Sequence, residues 1–133
     1  MNILGFRLDS DCTFKTHIRI LRGKIRAKTW ALSKLRKRGL DSKKLVQVYK
    51  SVIRPSVEYL APVWSLMITA EQSEILERQQ IQALKNIYGP KLSANKLRTE
   101  ASVERLAERR EKLCLSFVHK AVTNPRKSHW FVE

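Results

Sequence analysis

Between Lys15 and Arg38 there is not one acidic residue. Other shortages narrow the field further. Glycine and proline number four each in 133 residues, too few for a disordered, turn-dominated chain and in keeping with a helix-leaning globular one. The two cysteines, Cys12 and Cys114, lie far apart and make no Cys-x-x-Cys pair. They read as a turn residue and a core helix residue. A disulfide framework is not expected, and an intracellular setting fits best, with nucleus and cytoplasm left open. The first residues lack the layout of a signal peptide. The longest apolar stretch, residues 60–70, includes Ser65 and Thr69 and is too short to span a bilayer, so no membrane partner is expected. The three histidines, His17, His119 and His129, have no metal-ligand spacing with each other or with the cysteines. No loop is glycine-rich enough to cradle phosphates. No cofactor, metal or small-molecule substrate is implied.

Positive charge is what the chain has in excess. Lys and Arg number 27 against 12 Asp and Glu, a net +15 with a pI near 10.4. The excess is uneven: residues 1–60 carry 15 basic against 4 acidic side chains, and residues 61–133 carry 12 against 8. Such a field recruits polyanions, nucleic acid first among them. The length suits one domain able to bury about two-thirds of its unfolded surface.

Residues 2–8 and the Asp9-Ser10-Asp11 turn read as a strand and turn. From Phe14 to about residue 37 the pattern is helical, with Phe14, Ile18, Leu21, Ile25, Leu32 and Leu35 forming a core-facing seam and Gly39 a stop. Lys15, Arg19, Arg22 and Arg26 repeat that spacing one residue on, as a basic ridge beside the seam. Lys24, Lys28, Lys34, Arg36, Lys37 and Arg38 add to the polar side. A charge run is usually a solvated helix face. Here no carboxylates are interleaved to relieve like-charge repulsion, and phosphate contact is the better account.

The stretch 45–64 organises the rest. Asp41 or Ser42 caps a helix seamed by Leu45, Val48, Tyr49 and Val52. Pro55 is expected to push Arg54 out of helical geometry and force a kink or restart. Val57, Tyr59, Leu60, Val63 and Trp64 then read as a bent, mostly buried hairpin centre, with Arg54 in reach of Glu58. Thr69 and Gln72 form a capping box for a helix to about Ile87, ended by Gly89-Pro90; Leu76, Ala83, Leu84 and Ile87 face inward. Residues 93–98 suggest a turn or two of helix. Ser102 is expected to open the last long helix, with Val103, Leu106, Leu113, Phe117 and Ala121 on one face and Asn124-Pro125 at its end. Trp30, Tyr49, Tyr59 and Trp64 read as core residues in preference to base-stacking ones.

The wording of several segments is also informative. Val48-Tyr49-Lys50-Ser51-Val52-Ile53-Arg54-Pro55, then Glu58-Tyr59, then Ala61-Pro62-Val63-Trp64, resembles the segment after the polymerase core in reverse transcriptases of non-LTR retrotransposons, the jockey-like elements above all. Leu4-Gly5-Phe6, Leu8-Asp9, Thr13-Phe14 and His17-Ile18 precede it in the same order; Glu77, Gln80, Ala83-Leu84-Lys85, Gly89, Leu106 and Arg109-Arg110 follow. The likeness covers most of the chain.

It implies the thumb and connection region of such a polymerase without its palm. Residues 1–12 would be a residual palm-hairpin strand and turn, 13–124 the helical thumb-like domain, and 125–133 a tail. The family's aromatic-x-Asp-Asp motif, whose paired aspartates hold two metal ions, has no counterpart: only Asp9, Asp11 and Asp41 exist. No catalytic residue is therefore expected, and no enzyme. By resemblance Met1 begins inside a structural unit, as a truncated element would.

The expected fold is mostly α, an irregular bundle of roughly five helices, with or without a short N-terminal strand. The expected partners are an RNA–DNA or DNA duplex, gripped through phosphates, and the palm and fingers of a parent polymerase where present. The grip would be made by Lys15, Arg19, Arg22, Lys24, Arg26 and Lys28, with Lys34, Arg36, Lys37 and Arg38 as a second group. Two alternatives stand beside the polymerase fragment: a nucleic-acid-binding module retained by a host, and a protein-binding helical module.

Overall fold

The computed structural model describes residues 2–3 and 6–124. Expectations for Leu4, Gly5, the Pro125 stop and the His129-Trp130-Phe131 tail lie outside those residues. The chain is mostly helical, as its patterning implies. Two short strands, β1 (Asn2–Ile3) and β2 (Phe6–Arg7), pair antiparallel with Ile3 opposite Phe6. The N-terminal extended piece thus finds its partner within itself. In the turn that follows, Asp9 Oδ2 accepts the Thr16 amide at 3.0 Å and Asp11 Oδ1 accepts the Thr13 hydroxyl at 2.7 Å.

Helix α1 (Lys15–Lys37) buries Ile18, Leu21, Ile25 and Leu32, with Phe14 buried at its N-cap. Thr29 fills the gap in the seam. Its end is a full Schellman closure: Gly39 at φ +95° donates to the Arg36 carbonyl and Leu40 to that of Leu35.

Helix α2 (Ser42–Val48) starts where Asp41 Oδ1 accepts the Lys44 amide at 3.0 Å. It runs straight into a π-helical turn (Tyr49–Ile53) and α3 (Arg54–Glu58). Here two expectations need correction. Arg54 stays helical at φ −57°, its amide donating five residues back to Tyr49. The wider π turn accommodates Pro55, whose ring would clash with an ordinary i−4 carbonyl. The same turn moves the buried seam to Leu45, Tyr49, Ile53 and Val57, spaced by four, and leaves Val52 47 % exposed.

The chain then reverses through Leu60 at φ +54°. Helix α4 (Ala61–Trp64) and a 3-10 turn (Ser65–Met67) follow. Trp64 is wholly buried, its Nε1–H donating to the Tyr59 carbonyl at 2.9 Å. Tyr59 and Val63, expected inside, are exposed. The left-handed residue between Tyr59 and Ala61 breaks the helical period on which that expectation rested.

Helix α5 (Ala70–Tyr88) opens on a reciprocal Thr69–Gln72 capping box and ends at Gly89. Ser93 caps α6 (Ala94–Ala101). Ser102, expected to open the last helix, does not. It sits at φ +52° and closes α6, with the Val103 amide donating to the Arg98 carbonyl. Helix α7 spans Leu106–Thr123. Its N-terminal turn is buried through Leu106, but Phe117 is 58 % exposed, and Leu115, Val118 and Val122 are exposed beside it. The expected inward face of α7 therefore holds only for its first turns. Leu115 and Val118 border a groove with Ser65, Leu66 and Ile68 that leaves them largely exposed.

Helix α5 is central, touching α1, α2, α6 and α7. It runs in the same direction as α1: Lys15 and Arg19 lie across from Thr69 and Gln72, while Arg36 Nη1 donates to the Asn86 carbonyl at 3.2 Å. Sequence patterning gave no sign of the buried polar side chains of α5. Glu77 and Gln80 sit inside, where Tyr49 Oη donates to Gln80 Oε1 at 2.5 Å and Gln80 Nε2 donates to the Glu104 carbonyl at 2.9 Å.

Candidate nucleic-acid interface

A helix of 23 residues with no acid in it can relieve its charge only through other elements. It does not. Among the described residues the ion pairs are Arg54–Glu58, Arg98–Glu77, Arg105–Glu74, Arg109–Glu58 and Lys112–Glu104. Every acid in that set is taken by a base from α3, α6, α7 or the segment before α7. None pairs with α1. Four carboxylates are thus committed to bases outside α1, and no ion pair among the described residues reaches the basic side chains of that helix.

Those side chains do not form one patch. Lys15, Arg19, Arg22 and Arg26 are all exposed along one flank, and the first three line a groove against the start of α5 with Thr69, Gln72, Ile75 and one carboxylate, Glu71, which makes no ion pair with them. Lys37, also exposed, continues that flank and shares a second groove with Arg36 and Lys85 of α5. Lys24 and Lys28 fall on the opposite flank. Lys28 is half-buried, with Nζ donating to Ser56 Oγ and, at 3.4 Å, to the Val52 carbonyl. It braces α1 against α3. Lys34 lies on the outer face and Arg38 forms the helix C-cap, both exposed. The structure thus gathers Lys15, Arg19, Arg22, Arg26 and Lys37, adds Lys85, and sets Lys24 and Lys28 apart.

The expectation that four aromatic residues are core holds for Tyr49 and Trp64 and fails for the other two. Trp30 is 63 % exposed and Tyr59 57 % exposed. Helical spacing in apolar surroundings suggested burial, but Trp30 lies off the seam that runs from Ile25 to Leu32, and the helix turns it outward. Lys34 Nζ stands 4.9 Å from the indole centroid, within cation–π range.

Among the described residues no three His, Cys, Asp or Glu side chains come together as a metal site, and no helix is long and apolar enough to cross a membrane. No protein-family model, curated protein or solved structure matches the chain.

Proposed function

We propose that this chain grips template–primer nucleic acid as the thumb-like part of a retrotransposon RNA-directed DNA polymerase, without catalysing synthesis itself. One observation carries the nucleic-acid half of the reading: every ion pair among the described residues lies away from α1, whose exposed basic flank outnumbers the single carboxylate, Glu71, that shares its groove. Phosphates can supply the missing negative charge. Contacts to phosphate position a duplex without reading its sequence, which suits a polymerase grip.

The polymerase half rests on the resemblance, and the residues that carry it support one another. Tyr49 bonds to Gln80, Glu58 pairs with Arg109, and Glu77 accepts from the Leu106 amide. Segments matched separately along the chain thus meet as one framework. Its two acids are both engaged in ion pairs, consistent with a supporting role.

A second reading has its own observation. The uncovered apolar residues of α7, Leu115, Phe117, Val118 and Val122, favour a protein-binding module or a seat for other polymerase domains. The two readings differ in salt dependence. Binding of a labelled RNA–DNA hybrid should lose affinity linearly in log salt, by about 0.9 per phosphate neutralised on a B-form duplex. A slope near zero would contradict the grip.

A further inference from the structure

We infer that Trp30 is a stacking platform for an unpaired base, so that the basic flank of α1 prefers nucleic acid with a single-stranded stretch. This rests on the nucleic-acid reading above and names the form of polyanion it takes.

An indole is a large apolar surface, and this one is left mostly in water midway along a helix. Its surroundings suit a base. Arg26 lies one turn before it and Lys34 one turn after, both exposed and neither ion-paired among the described residues. Lys34 holds its ammonium 4.9 Å from the ring centroid. The ammonium thereby stands over the indole and steadies it, while the residue remains 63 % exposed to a planar ligand. Toward the N-terminus, exposed Gly23 and Ala27 keep the outer surface low. A Cβ added at Gly23 would meet nothing within 4 Å, so no neighbour in the fold requires glycine there.

The chemistry selects the partner. Bases inside a duplex are already stacked and offer no free face away from its ends, whereas unpaired bases do. Arg22 and Arg26 stand roughly 12 and 6 Å along the helix axis from Trp30. Phosphates of one strand can therefore meet the flank while a neighbouring base reaches the ring.

The test compares a short oligothymidylate with a loop-free, blunt-ended duplex of equal phosphate number, using the full chain and its Trp30→Ala and Trp30→Phe variants. Trp30→Ala is expected to weaken binding of the single strand by about fivefold or more, the range of one lost base stack. Duplex affinity and salt slope stay unchanged, and Trp30→Phe restores most of the loss. In a Trp130→Phe background, the single strand should also shield Trp30 emission from acrylamide, the other indole, Trp64, being buried. Equal single-strand binding by wild type and Trp30→Ala overturns the platform, as does an equal loss on both probes. Wild-type protein that binds neither probe in a salt-dependent way refutes the phosphate flank, and the platform with it.

Discussion

Glu77 Oε2 accepts the backbone amide of Leu106 at 2.8 Å, so a carboxylate of α5 closes the first turn of α7. Arg105, the N-cap residue, makes no side-chain cap of its own. The other Glu77 oxygen takes Arg98 Nη1 at 2.8 Å and Gln80 Nε2 at 3.2 Å. One side chain, only 4 % exposed, thereby ties three helices together. Removing one partner of a buried pair leaves the other charge without compensation. Glu77→Ala is expected to cost roughly 3–5 kcal/mol in urea unfolding. A loss within ordinary surface variation would mean that Arg98 and Leu106 find other partners.

The π turn makes a prediction that an ordinary helix would reverse. Ile53 is buried and Val52 is exposed, although Val52 holds the three-residue step from Tyr49. Ile53→Ala should destabilise by roughly 2–5 kcal/mol. Val52→Ala should stay within about 0.5 kcal/mol of wild type. Thermal or urea denaturation of the pair checks the register; the opposite order would restore the unbroken helical period.

His17 sets an acid limit on stability. It is buried, with its ring 5.7 Å from Trp64 and 6.2 Å from Phe14, and its Nδ1 accepts the Arg7 amide at 3.4 Å. Burial, assisted by the Lys24 charge, lowers its pKa below the usual 6.5. The unfolded chain then takes up a proton that the folded one resists. Stability from this group is complete above 6.5 and declines as pH falls through the folded value. Urea midpoints should drop from neutral to mildly acidic pH, and His17→Phe should remove that part of the drop. A pH profile identical in the variant would assign the effect elsewhere.

Local chemistry made most of the fold legible. Asp41 and the Thr69–Gln72 pair cap the helices they suggest, and Gly39 and Gly89 end theirs. Failures arose where one residue changes the period, as at the π turn and Leu60, or where serine takes a left-handed position more often held by glycine, as at Ser102. The basic flank was readable because charge spacing survives in any helix. Its division into two sides was not: the placement of Lys28 against Ser56 depends on α3 lying beside α1. Nor was the buried position of Glu77 and Gln80, whose partners come from distant segments.

The most direct measurement compares two charge reversals of equal size on an RNA–DNA hybrid over a salt series. One is Arg19→Glu/Arg22→Glu/Arg26→Glu on α1; the other is Arg105→Glu/Lys112→Glu/Lys120→Glu at and along α7. All six positions are exposed; the α7 set breaks the Arg105–Glu74 and Lys112–Glu104 pairs, solvent-exposed pairs that contribute little to stability, so both variants should fold. If the α1 flank holds the phosphates, its reversal lowers the salt slope by about 2.7, the share of three neutralised phosphates on a B-form duplex, and the α7 reversal leaves most of it. Equal slopes in the two variants would mean that net charge alone draws the polyanion, and would contradict a localised grip.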